Sequence, residues 1–196
     1  WTSHILSFSQ DFDVHIFKIT HNGGTICASS LSDIVCSSST SSIEYPEIIP
    51  PIRDFDMALE DNRYETSYQS RGSKACFIDS VGVKCWGGID VSFSHVESPQ
   101  HISVSPYGDN VCIIDKNGVP FCSAFEFPKG QGHEYGTNYV VKKIMALENN
   151  AVCVLKHSIG GNAGSELQCY GGLDYSLNSI TGANYSRGEL PVFRDI

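Results

Sequence analysis

Basic residues are scarce in this chain: 13 Lys and Arg stand against 22 Asp and Glu, for a net charge of −9 over 196 residues. Nucleic-acid binders track phosphates with clustered Lys and Arg. The few basic residues here are scattered, so nucleic acid and anionic membranes are poor partners. No apolar run approaches the roughly 18 residues a membrane-spanning helix requires, and no membrane insertion is expected. Cys-x-x-Cys, His-Glu-x-x-His, Gly-x-Ser-x-Gly and phosphate-loop patterns are all missing. With them go the usual marks of zinc, metalloprotease, hydrolase and nucleotide chemistry, and neither a cofactor nor a metal is expected. Helical patterning is nearly absent too, with one weak stretch around Met57 to Glu60.

What the chain does have is eight cysteines in four successive pairs. They are Cys27 with Cys36, Cys76 with Cys85, Cys112 with Cys122, and Cys153 with Cys169. Each pair flanks a turn between short apolar runs such as Ala75–Ile78, Val111–Ile114 and Ala151–Leu155, which read as buried strands. A further run covers Val14–Ile19. Residues directly opposite in an antiparallel pair lie about 4.5 to 5.5 Å apart, within disulfide reach. Cys112 and Cys122 are opposite about a three-residue loop, Lys116-Asn117-Gly118, with Gly118 in the left-handed position. Cys76 and Cys85 are opposite about Asp79–Gly82, and Cys27 and Cys36 about Ser30–Asp33. The fourth pair encloses a longer polar insertion, Lys156 to Glu166. Eight cysteines allow about 105 pairings, and the sequential set is the expected one.

Such a framework points to an oxidising, extracellular setting, and a chain starting at Trp1 fits removal of a signal peptide or a fragment. The sequon Asn184-Tyr185-Ser186 agrees with secretion and marks Asn184 for glycosylation. Ser37 to Pro51, Ser/Thr-rich and then Pro-rich, reads as a linker or as an ordered excursion along a neighbouring subunit anchored by Ile48 and Ile49.

The segment Lys74-Ala75-Cys76-Phe77-Ile78-Asp79-Ser80-Val81-Gly82-Val83-Lys84-Cys85-Trp86-Gly87-Gly88 resembles the repeat of the regulator of chromosome condensation family. That repeat places a cysteine-bearing strand, a Gly turn and a strand ending in Trp-Gly in one β-propeller blade. The other repeats are similar in rhythm rather than in letters, and the resemblance covers most of residues 14 to 196. Paired hairpin cysteines look like those of extracellular members. The expected fold is all-β: antiparallel blade repeats at 1–40, 50–90, 98–128 and 138–175 in a single domain. Residues 176–196 lead to a further blade or to ring closure, with a fifth repeat starting at Pro191 to Ile196. A four-bladed ring, an arc of a longer chain and an arc completed by neighbouring copies all stay open. The founding member's nucleotide exchange is not carried over, because its exchange loops have no counterpart here.

Candidates for chemistry are sparse. The seven histidines are dispersed, and His133-Glu134 beside Gly132 reads as a solvated loop. The pairs Asp11/Asp13 and Asp54/Asp56 each straddle a Phe, which in a strand sets both carboxylates on one face. Glycosidases need two facing carboxylates, whereas a local pair is more often a solvated surface or a turn cap. Trp86 is expected in the core. Tyr107, Tyr135, Tyr139, Tyr170, Tyr175 and Tyr185 are the candidate ligand contacts if the surface binds sugars. The expected function is a non-catalytic extracellular structural or interaction scaffold that self-assembles into an oligomer or filament and partners copies of itself or other extracellular proteins. The alternatives are a carbohydrate-binding module with glycan partners and, third, a secreted hydrolase.

Overall fold

The computed structural model describes residues 18–22, 25–38, 46–58, 74–127, 138–147, 150–159 and 165–171, and among these there are twelve strands and no helix. The strands form four antiparallel three-stranded meanders. The first sheet holds β1 (Lys18–Asn22), β2 (Thr25–Ser29) and β3 (Ile34–Ser38). The second holds β4 (Asp54–Met57), β5 (Ala75–Ile78) and β6 (Val83–Trp86). In the third are β7 (Pro99–Val104), β8 (Val111–Asp115) and β9 (Pro120–Cys122), and in the fourth β10 (Tyr139–Ala146), β11 (Val152–Ser158) and β12 (Ser165–Tyr170).

The cysteines stand opposite one another in every hairpin: Cys27 with Cys36, Cys76 with Cys85, Cys112 with Cys122 and Cys153 with Cys169. All four pairs are disulfides, with Cα separations of 4.0 to 4.1 Å. Between β8 and β9 the Asp115 N–H donates to the Val119 carbonyl at 3.0 Å, which closes the three-residue loop over Gly118. Gly118 has φ +79°, and a Cβ there would lie 2.8 Å from Val140 Cβ and 3.1 Å from the Val140 Cα, so both the turn and the neighbouring sheet require glycine.

Strand alternation explains how the sheets pack. On β5, Ala75 and Phe77 join the core against the first sheet, with Cys27, Ile34, Ile52, Phe55 and Trp86. Cys76 and Ile78 project the other way, into the core shared with Ile102, Val104, Val111 and Ile113 of the third sheet. The same split recurs on β8, where Cys112 and Ile114 turn toward Val141, Ala146, Val152 and Val154 of the fourth sheet. Each of the first three sheets thus lays a forward face, carrying its disulfide, on the back face of the next. Side chains such as Phe55, Phe77 and Ile113 are fully buried in these interfaces, each contributing about 1.5 to 3 kcal/mol. Trp86 is in the core as expected, stacked on Phe55 at 5.9 Å. Among the described residues no core cluster joins the first sheet to the fourth.

Two expectations need correction. The stretch after residue 45 joins the first and second sheets as a linker does, but it is held in place: Ile49 N–H donates to Asp79 at 3.0 Å, and its carbonyl accepts from Ser80 N–H at 3.0 Å and Oγ at 2.8 Å. It runs along the second sheet of its own chain, with Ile48 packed in the first interface and Ile49 41% exposed. The polar insertion of the fourth hairpin is also shorter than its letters imply. Lys156 stands in register with Glu166 and His157 with Ser165, so the strands continue outward. An ion pair from Lys156 to Glu166 at 3.4 Å and the Lys156 ammonium 4.5 Å from the Tyr139 ring centre make these polar positions compatible with a strand. Val14 to Phe17 and the region of Asp11/Asp13 lie outside the described residues.

Candidate functional site

The carboxylate pair singled out in the sequence does share one face. Asp54 and Asp56 stand in register with Ile78 and Cys76, on the forward face of the second sheet. Asp54 Oδ2 accepts the Ile102 N–H at 2.9 Å, and Asp56 Oδ2 accepts the Val104 N–H at 2.8 Å. β7 is the edge strand of the third sheet, and N–H groups two residues apart point to the same edge. The acids therefore satisfy donors that the ladder leaves over. His101 Nδ1 lies 3.6 Å from Asp54 Oδ2, over half of its side chain exposed. One sheet further on, Ser103 Oγ accepts the Ala146 N–H at 3.1 Å, the same device with a hydroxyl. These carboxylates are committed to backbone donors in the sheet interface, and the arrangement joins sheets.

A second constellation gathers at the β5–β6 turn. Asp79, 1% exposed, accepts N–H bonds from Ile49, Val81 and Gly82 at 2.8 to 3.1 Å and meets the Lys84 ammonium at 2.8 Å. Burial pushes its carboxyl upward, but the Lys84 ammonium and the three N–H donors outweigh that and hold it below the usual carboxylate range. A group whose folded pKa is depressed stabilises the fold above its unfolded pKa of about 4 and loses that stabilisation as pH falls through the folded value. Acidification from pH 7 to pH 3 is therefore expected to lower the urea midpoint, and by less in Asp79→Asn than in the parent. An equal drop in both proteins would contradict the role given to Asp79.

Beside this turn lies an open cleft of about 380 Å³ whose lining includes Arg53, Asp79, Lys84, Phe93, Ser98 and Pro99. Both of its cations are engaged: Lys84 also donates to the Glu47 carbonyl at 2.7 Å, and Arg53 donates to the Pro99 carbonyl at 3.2 Å. Sequence reasoning passed over Asp79, although Asp79-Ser80-Val81-Gly82 carries the signal of an Asx turn. It also passed over Ser103, which no local pattern marks.

The candidate tyrosines do not share one environment. Tyr107 is 39% exposed in the β7–β8 turn, where its carbonyl accepts from Lys74 Nζ at 2.8 Å. Tyr139 lies under Lys156, and Tyr170 packs with Phe125 and Phe127 at 5.9 and 5.5 Å between the third and fourth sheets. Tyr135, Tyr175, Tyr185, the sequon Asn184 and His133-Glu134 lie outside the described residues. Among the described residues no group of three or more His, Cys, Asp or Glu is placed to hold a metal ion, and no helix is long and apolar enough to cross a membrane.

Fold and bonding together define an all-β protein built from disulfide-stapled three-stranded sheets, whose four internal disulfides fit an oxidising environment. No known protein family, curated protein or solved structure matches the chain.

Proposed function

We propose that this chain is an extracellular, non-catalytic scaffold of propeller-blade type that assembles with copies of itself. One observation carries the reading. Sheets pack forward face on back face in sequence order, and among the described residues the row is not closed by a core between its first and last members. A row of β-sheets with end faces of its own kind has surfaces that fit its own kind, and head-to-tail contacts that do not close generate filaments. The commitment of Asp54 and Asp56 to backbone donors favours a scaffold over a glycosidase.

Sedimentation velocity across a hundredfold concentration range, with negative-stain images of the top concentration, tests the proposal. Growth into oligomers or filaments is the expected result. A single monomeric species throughout would sink it.

A further inference from the structure

Among the described residues, the forward face of the fourth sheet differs from its three counterparts in having no sheet upon it. Cys27, Cys76 and Cys112, the central-strand cysteines of the first three forward faces, are 0% exposed and belong to inter-sheet cores. Cys153 is 8% exposed and belongs to none of those cores, and Met145, in register with it, is 57% exposed. Leu155 and Leu167 complete the face as the next row in register, opposite Lys143. The first sheet has the same layout: Lys18, Ser29 and Ile34 in one row, Thr20, Cys27 and Cys36 in the next.

The sequence holds a matching occupant. The first sheet's face is covered by the lead-in and first residues of β4, Pro50-Pro51-Ile52-Arg53-Asp54-Phe55, whose Ile52 and Phe55 are 0% exposed in the core with Cys27 and Ile34. Ile52 N–H also donates to the Leu31 carbonyl of the preceding turn at 2.7 Å. Residues 191–196, outside the described residues, read Pro-Val-Phe-Arg-Asp-Ile. Both hexapeptides follow Pro-x-apolar-Arg-Asp-apolar, which puts Phe193 in the place of Ile52 and Ile196 in that of Phe55. Segments 39–53, 87–98 and 123–138 connect one sheet to the next; 39–49 separates β3 from the first hexapeptide, and the longer 171–190 separates β12 from the second. A tether of that length holds the segment at an effective concentration in the millimolar range, which favours it over a second molecule.

We propose that the forward face of the fourth sheet, formed by Met145, Leu155, Leu167 and the Cys153–Cys169 disulfide, is the docking site for residues 191–196 of the same chain, seated through Phe193 and Ile196. The segment begins a fifth unit of the row, so that self-association at this end engages the docked unit and not the bare fourth sheet.

The chain's two methionines provide the readout, because Met145 lies on the face and Met57, 4% exposed, is buried in the first interface. Thioether oxidation by dilute hydrogen peroxide follows exposure. The full chain and its Phe193→Asp/Ile196→Asp variant are compared by mass spectrometry, at a concentration where sedimentation gives monomer. Undocking is expected to raise the Met145 oxidation rate about tenfold while leaving Met57 slow, the latter showing that the sheets remain folded. Two results would overturn the proposal. One is equal Met145 rates in both proteins at that concentration; the other is protection that survives the substitutions and grows with concentration, which assigns the face to a second copy.

Discussion

Reduction of the four disulfides is expected to unfold this chain in buffer without denaturant. Each staple closes a short loop, with sequence separations of 9, 9, 10 and 16 residues. In the chain-entropy model each such loop is worth about 3 kcal/mol, on the order of 11 kcal/mol together. A folded domain has roughly 5 to 15 kcal/mol of total stability, so losing the staples removes most or all of it. Cys27, Cys76 and Cys112 are also fully buried in sheet interfaces, and opening those bridges disturbs packing on both sides. The check is near-ultraviolet circular dichroism before and after complete reduction and alkylation. Loss of the signal is the expected outcome, and a reduced protein with an unchanged spectrum and urea midpoint would refute it.

Replacing Asp54 and Asp56 together by Ala should cost about 4 kcal/mol. Each carboxylate accepts a backbone N–H of β7, and hydrogen bonds to charged groups contribute roughly 1.5 to 3 kcal/mol apiece. Removing both orphans two donors in the interface between the second and third sheets. The Asn pair keeps an acceptor oxygen without the charge and should lose about half as much. Urea titrations of the three proteins separate these cases. Equal stability of the Ala pair and the parent would show that the contacts contribute nothing to the fold.

Much of the architecture was legible because the cysteines act as register marks. Opposite placement of Cys76 and Cys85 fixes the pairing of β5 with β6, and with it the four residues left for the turn. Gly118 likewise announced a left-handed turn position, and the unbroken apolar run Ala75-Cys76-Phe77-Ile78 implied a strand buried on both sides. The same-face placement of Asp54 and Asp56 followed from the strand period. What they bind did not, since Ile102 and Val104 lie 48 residues further along and nothing local announces that contact. The segment before β4 misled for a similar reason. Its Ser and Pro content is that of a linker, and its order comes from Asp79 and Ser80, some 30 residues away. Function was the least legible level, because a fold carries many functions and no residue pattern in this chain spells one out.

The central claim is that every sheet is stapled within its own hairpin, so that the molecule is a row of separately clamped units. A mass map of the unreduced, proteolysed protein tests this most directly. It should return four links and no free thiol: Cys27 to Cys36, Cys76 to Cys85, Cys112 to Cys122 and Cys153 to Cys169. A bridge between hairpins, such as Cys36 to Cys76, or a population of unpaired cysteines would contradict the account at its base.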